Sequence, residues 1–230
     1  MLLRIIMAEN DKVALFDFCE TITDFQTADA YVDFVREKTR KKRMMMLHKI
    51  QVFLIKIRFI RALSILFPGL SINKKLTLLQ LKGFKKNELD NFAYEYYTEV
   101  IKPHFIPVMI CKIKEHLTSG YTVGLVSGGY GIYLHYFVEE FGLDFCLSSN
   151  IEIKNGVCTG KLDGSDCLRD RKVELLNQLY PQKPMNSVAY SDSKSDMPLL
   201  LWAKEGVVVS RNNHQEWVDN KLLQEIIWEK

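Results

Sequence analysis

Three separated apolar runs end on reactive polar groups, and they constrain the fold more than any other feature of the chain. They are Val13-Ala-Leu-Phe-Asp17-Phe-Cys-Glu-Thr21, Val123-Gly-Leu-Val-Ser127-Gly-Gly129 and Val188-Ala-Tyr-Ser-Asp192-Ser-Lys-Ser-Asp196. Each reads as a buried strand that stops and presents its last residues to solvent. In an open parallel sheet such strand ends converge on one crevice, where ligands bind. Two carboxylate-bearing ends and a Ser-Gly-Gly end suit a metal-assisted phosphate site.

The spacing between these runs sets the architecture. From 27 to 105 the pattern is helical, with Ala30, Tyr31, Phe34 and Val35 at one spacing and Leu89, Phe92, Ala93, Tyr96, Tyr97 and Val100 at another. No strand pattern interrupts it. This stretch reads as an insertion, 27–105, in a core formed by 11–26 and 106–230. Within the core, helices are expected at 109–118, 130–141, 170–179 and 197–203, and strands at 121–126, 145–148, 187–191 and 206–210. Asn155-Gly156 marks a hairpin. The last segment, 214–228, reads as a closing amphipathic helix. The β-α-β rhythm implies an α/β fold: a doubly wound, mostly parallel sheet with a helical insertion.

A chain of 230 residues holds one domain, or a core with a smaller inserted module. Its five cysteines are scattered, odd in number and without a C-x-x-C pair, which argues against a disulfide framework or a zinc site and fits a reducing cytoplasm. Residues 1–7 are apolar but too short for a signal-peptide core, and charges follow at once. Charge is distributed unevenly. Residues 36–86 hold 15 Lys or Arg and one acid, Glu37, a segment charge of +14 that leaves −11 for the remainder of a chain with net +3. Such asymmetry points to an anionic partner or substrate.

Each candidate residue has an ordinary reading beside the chemical one. Asp17 alone reads as a strand-terminating Asp that caps a turn; with the other two runs it reads as a metal ligand, a nucleophile, or both. Ser127, Gly128 and Gly129 read as an ordinary turn, or as a hydroxyl and backbone N–H groups that hold an oxyanion at a helix start. Asp192 can face the same cation as Asp17. Asp196, four residues on, can support that metal or cap the helix that contains Pro198. Lys172, near the start of the 170–179 helix, is a solvated lysine or an ammonium reaching both Asp17 and a phosphate. Arg169 and Arg171 are its neighbours.

The ordered set Asp17-x-Cys-x-Thr21, Ser127-Gly-Gly, Lys172, Asp192-Ser-Lys-Ser-Asp196 resembles the four motifs of the haloacid dehalogenase superfamily. The insertion between the first two motifs is similar to the cap of its phosphoserine phosphatase-like branch, subfamily IB, and 155–160 resembles that branch's hairpin before the lysine. The match covers nearly the whole chain beyond residue 12. The resemblance implies a Mg²⁺-dependent phosphomonoester hydrolase acting on a small phosphorylated substrate. It implies Asp17 as a nucleophile that becomes an aspartyl-phosphate, and Mg²⁺ held by Asp17, the Cys19 carbonyl and Asp192. Ser127 and Lys172 would hold the phosphoryl group, and Asp196 would support the metal site.

The chain departs from the family pattern at Cys19, where a second Asp usually serves as general acid and base. A thiol of ordinary pKa about 8.5 is a poor substitute near neutral pH. Three outcomes stay open: a phosphatase that takes its proton from Glu20, a cap residue or water; an enzyme for good leaving groups only; or a phospholigand-binding module without efficient turnover. On extended chain Glu20 would point away from Cys19. Carbon–phosphorus hydrolysis, which does not require the second Asp and often uses a cap lysine, is a further alternative.

The basic cap reads either as a solvated face or as a recruiter of an anionic partner. Lys49, Lys56, Arg58 and Arg61 interrupt 44–67, before the Pro68-Gly69 break, so a membrane-spanning helix is not expected. Lys49 and Lys56 share a helix face and Arg58 falls nearly opposite Lys56, which does not make a clean membrane-surface helix. Peripheral contact with an anionic membrane through the cap ranks below a soluble substrate. Nucleic acid ranks lower still, since no binding motif is present.

Overall fold

The computed structural model describes residues 11–60, 71–219 and 223–229. The expectations for residues 1–7 and 61–67 and for the Pro68-Gly69 break lie outside them. The first apolar run forms β1 (Lys12–Phe16) at the centre of a seven-stranded sheet. The others follow as β2 (Thr122–Tyr130), β3 (Phe145–Lys154), β4 (Val157–Asp163), β5 (Asn186–Ser191), β6 (Glu205–Arg211) and β7 (Gln224–Trp228). The order is β4-β3-β2-β1-β5-β6-β7. Every pairing is parallel except β3 with β4. That hairpin turns on Asn155 and Gly156, both at positive φ (51° and 75°), the backbone that an Asn-Gly pair tolerates at low cost.

Both faces of the sheet are covered, as a parallel sheet requires. Ala14 and Phe16 of β1 pack into one apolar cluster, and Val13 and Leu15 into another on the opposite face. The crossover helices are α5 (Pro107–Thr118), α6 (Gly131–Phe141), α7 (Asp170–Leu179) and α8 (Met197–Trp202). The helix α6 stops at Gly142, whose φ of 66° places it in the left-handed region.

Between β1 and α5 the described residues form helices and no named strand: α1 (Thr27–Thr39), α2 (Lys42–Lys56), α3 (Ile72–Leu79) and α4 (Lys86–Tyr96). A π turn, Tyr97–Ile101, and a 3-10 turn, Lys102–His104, continue α4. The inserted helices share the larger apolar cluster with the sheet. Tyr31 and Tyr96 pack on Tyr133 of α6, with ring centroids 5.5 and 5.4 Å apart, and the Tyr96 hydroxyl donates to the Thr27 carbonyl at 2.9 Å.

Three expectations change. Among the described residues of 214–228 there is no helix; Gln224–Trp228 is a parallel edge strand beside β6. Its short Ile-Ile-Trp run carries little periodicity, and Ile226 and Trp228 pack against the larger cluster from the sheet edge. The strand β2 runs through Ser127-Gly128-Gly129 with a bulge against β3, so this segment is a strand end and α6 starts only at Gly131. The short strand expected at 145–148 continues unbroken into the hairpin.

Candidate active site

The register of the central strands puts the candidate residues at one level. Phe16 lies beside Leu125 of β2 and Tyr190 of β5, so Asp17, Ser127 and Ser191–Asp192 emerge together at the carboxyl edge. The Asp17 N–H still bonds the Tyr190 carbonyl at 2.9 Å, which fixes where its side chain leaves the sheet. A crevice of about 450 Å³ opens there. Asp17, Cys19, Ser127, Lys172, Asp192 and Asp196 all line it.

Lys172 is the hub. It is 1% exposed, and its ammonium donates to Asp17 Oδ1 at 2.8 Å and to Asp196 Oδ2 at 2.5 Å. Burial opposes the ammonium, but the charges of Asp17 and Asp196 outweigh it and hold its pKa above the ordinary lysine value. Burial also raises the Asp17 pKa; Lys172 opposes that rise and Asp196 adds to it. Asp196 occupies the N-cap position of α8, yet its carboxylate makes no cap bond; it accepts from Lys172 and from Ser191 Oγ at 2.8 Å. Neither neighbouring arginine lines the crevice: Arg171 pairs with Glu174, and Arg169 is exposed.

Asp192 is held by Thr21. The Thr21 hydroxyl donates to Asp192 Oδ1 at 3.0 Å and accepts from the Asp192 N–H at 3.0 Å. Burial, then the nearby Asp17 charge, pushes the Asp192 carboxyl up to about 7. Three carboxylates face one ammonium here, so full ionisation leaves two negative charges uncompensated, a divalent cation's worth. Among the described residues no three His, Cys, Asp or Glu side chains form a metal cage. The Asp17 and Asp192 carboxylates are hard oxygen donors of the kind Mg²⁺ prefers, and Cys19 lines the same crevice.

Ser127 is fully buried, and its Oγ accepts from the Gly129 N–H at 3.1 Å, leaving the hydroxyl hydrogen free to donate. Gly128 lines the crevice, whereas Gly129 is buried behind it. A Cβ on Gly129 would lie 2.8 Å from the Tyr133 hydroxyl and 3.2 Å from Leu134, so a glycine is needed for packing there.

Cys19 is buried, with Sγ 3.0 Å from Thr27 Oγ1, which is 2.8 Å from the Tyr133 hydroxyl. Burial, then the Asp17 charge, pushes the thiol up to about 11, so it stays protonated at neutral pH. Glu20 does not point away as extended chain would require. Its φ of 58° is left-handed, and it lines the crevice beside Cys19, its carboxylate accepting from Gln26.

The insertion contributes Lys74, which the sequence did not single out among so many lysines. Its ammonium reaches from α3 to the Gly128 carbonyl at 2.6 Å, to Ser149 Oγ at 3.2 Å and to Asp166. Asp29 and Asn73 complete the insertion's side of the crevice. Of the hydroxyls that orient the carboxylates, Thr21 stood in the first motif without an assigned role, and Ser191 was visible only as a polar residue at a strand end.

A carboxylate, an ammonium and a buried hydroxyl thus meet at the carboxyl edge of a parallel sheet, in the crevice where such folds bind ligands. The chain belongs to the haloacid dehalogenase-like hydrolase family, whose model matches residues 14–201. Phosphoserine phosphatases are among the relatives it is similar to. It is 26% identical over 209 residues to phosphoserine phosphatase of Methanocaldococcus jannaschii, covering 89% of this chain and 87% of that protein. It is 28% identical over 143 residues to histidinol-phosphatase of Neisseria meningitidis, and there the match spans 59% of this chain and 64% of the relative. Among solved structures, a protein of unknown function from Bordetella pertussis superposes with a TM-score of 0.78 at 22% identity, covering 93% of this chain and 97% of that one. A phospho-aspartyl intermediate analogue of phosphoserine phosphatase superposes at 0.55 with 20% identity, covering 86% of each chain.

Proposed function

We propose that the chain is a Mg²⁺-dependent phosphomonoester hydrolase that works through an aspartyl-phosphate, with residues 27–105 as a cap over the crevice. The observation that carries this reading is the buried Lys172 ammonium between the Asp17 and Asp196 carboxylates, in a crevice that Ser127 and Asp192 also line. An Asp17 oxygen attacks phosphorus, the new O–P bond forms, and the ester oxygen leaves. Water then attacks the same phosphorus, the bond to Asp17 breaks, and phosphate departs. Lys172 and the Ser127 hydroxyl offset charge on the transferring group. Asp196 orients Lys172, and Ser191 orients Asp196. A Mg²⁺ ion held by Asp17, the Cys19 carbonyl and Asp192 would neutralise the approach of an anionic nucleophile to an anionic ester.

The proton for the leaving oxygen is the weak point of this machinery. General acid–base help is worth about 10² to 10⁴-fold, and a thiol pushed up to about 11 supplies little of it near neutral pH. Glu20, which lines the same crevice, or solvent supplies the proton instead, and esters with good leaving groups turn over fastest. The protonated Cys19 thiol is the observation that favours the second reading, a phospholigand-binding module. Carbon–phosphorus hydrolysis gains no support from Lys74, whose ammonium is already bonded to Asp166 and the Gly128 carbonyl. The relatives' names point to a small phosphorylated substrate, and five free cysteines suit a cytoplasmic setting.

The test is Mg²⁺-dependent phosphate release across a phosphomonoester panel that includes p-nitrophenyl phosphate, with wild type beside Asp17→Asn. Release that vanishes in the variant is expected. A wild type that binds phosphate esters yet releases no phosphate from any of them would move the assignment to the binding module.

A further inference from the structure

The helix α2 buries only Met44 and Gln51. Gln51 anchors it, donating to Asn73 Oδ1 and Thr77 Oγ1 of α3, each at 2.8 Å. The opposite face covers nothing among the described residues that would hide it from solvent. Met46, Ile50 and Phe53, with Ile57 at the C-cap, recur at helical spacing in one row and are 57, 47, 60 and 52% exposed. Lys42, Lys49 and Lys56, seven apart, form a second exposed row roughly 70° around the helix. Arg58, which on an uninterrupted helix would have spoiled this pattern, is not on it: α2 ends at Lys56, and Arg58 has a φ of 59°.

We propose that this outer face of α2 docks on a lipid bilayer that carries anionic headgroups. An apolar row beside a lysine row is the pattern of a helix lying in the interface, with apolar side chains among the acyl chains and ammonium groups at the phosphates. A second copy of the chain fits poorly, because it would bring two lysine rows together within a segment of charge +14. Among the described residues no helix is long and apolar enough to cross a membrane, so the contact is peripheral. The proposal needs no turnover and is independent of the phosphatase reading.

The test is flotation of the full chain with phosphatidylcholine vesicles, with and without phosphatidylglycerol, at low and high salt. Binding is expected on the anionic vesicles alone, weakening as salt screens the lysines. The triple variant Lys42→Gln/Lys49→Gln/Lys56→Gln should lower partitioning roughly a hundredfold. The pair Met46→Ser/Phe53→Ser should release the protein while its circular dichroism stays unchanged, since both side chains are exposed. Wild type that stays free of anionic vesicles at low salt would overturn the proposal. So would variants that partition like wild type, or a dimer in sedimentation that Phe53→Ser dissociates without any vesicle binding.

Discussion

Lys172→Met is the most informative perturbation, because it removes a charge while nearly keeping a volume. Lys172 is 1% exposed and lies between Asp17 and Asp196, themselves 5% and 3% exposed. Methionine fills most of the same space, so the cavity contribution is small and the loss is mainly electrostatic. Removing one partner of a buried ion pair costs about 3–5 kcal/mol, because the remaining charge is left without compensation. That is a large share of the roughly 5–15 kcal/mol that holds a domain folded. The pH dependence has a definite sign. Burial, with the Asp196 charge beside it, raises the Asp17 pKa in the folded state, and removing the ammonium that opposes this rise takes it further above the unfolded value of about 3.9. A raised folded pKa means that the folded state binds more protons, so the variant's stability falls as pH rises from the unfolded value through the Asp17 value. Urea denaturation at about pH 5 and about pH 8 should therefore show the larger deficit relative to wild type at the higher pH. Added Mg²⁺ should recover part of it. A deficit below about 1 kcal/mol at both pH values, with no trend between them, would refute the view of Lys172 as the charge that holds this crevice together.

Cys19→Asp should raise kcat on alkyl phosphates by at least about tenfold, within the 10² to 10⁴-fold scope of general acid–base help; a folded variant with unchanged kcat would locate the limiting step elsewhere. Glu20→Gln should slow release from alkyl phosphates and leave p-nitrophenyl phosphate little changed; equal rates on both would remove Glu20 as a proton donor. Gly129→Ala should cost about 1–3 kcal/mol in urea denaturation, since its Cβ would crowd the Tyr133 hydroxyl and Leu134. Burial, followed by Lys112, lowers the pKa of His116, which bonds the Tyr190 hydroxyl at 2.8 Å. Its stabilising contribution is present above the unfolded value of 6.5 and lost as pH falls through the lower folded value. The stability difference between wild type and His116→Gln should shrink accordingly over that range.

The parts of this molecule that depend on neighbours in sequence were legible from residue order. Val13–Phe16, Val123–Val126 and Val188–Ser191 read as buried strands because apolar runs bounded by polar turns have few other ways to exclude water, and Asp17, Ser127 and Asp192 followed as the groups at their ends. Asn155-Gly156 marked its hairpin because two consecutive positive φ angles suit few other pairs. The closing segment did not: Gln224–Trp228 is too short for its period to separate helix from strand, and the open edge of β6 decides the matter. Contacts between residues far apart in the chain were also out of reach. That Asp196 turns to Lys172, that Glu20 enters the crevice on a left-handed backbone, and that Lys74 rather than a neighbouring lysine crosses from α3 to Asp166 are all consequences of packing. The reason is physical: backbone propensity and apolar periodicity act over a few residues, whereas the partner of a buried charge is set by which distant segment desolvates it.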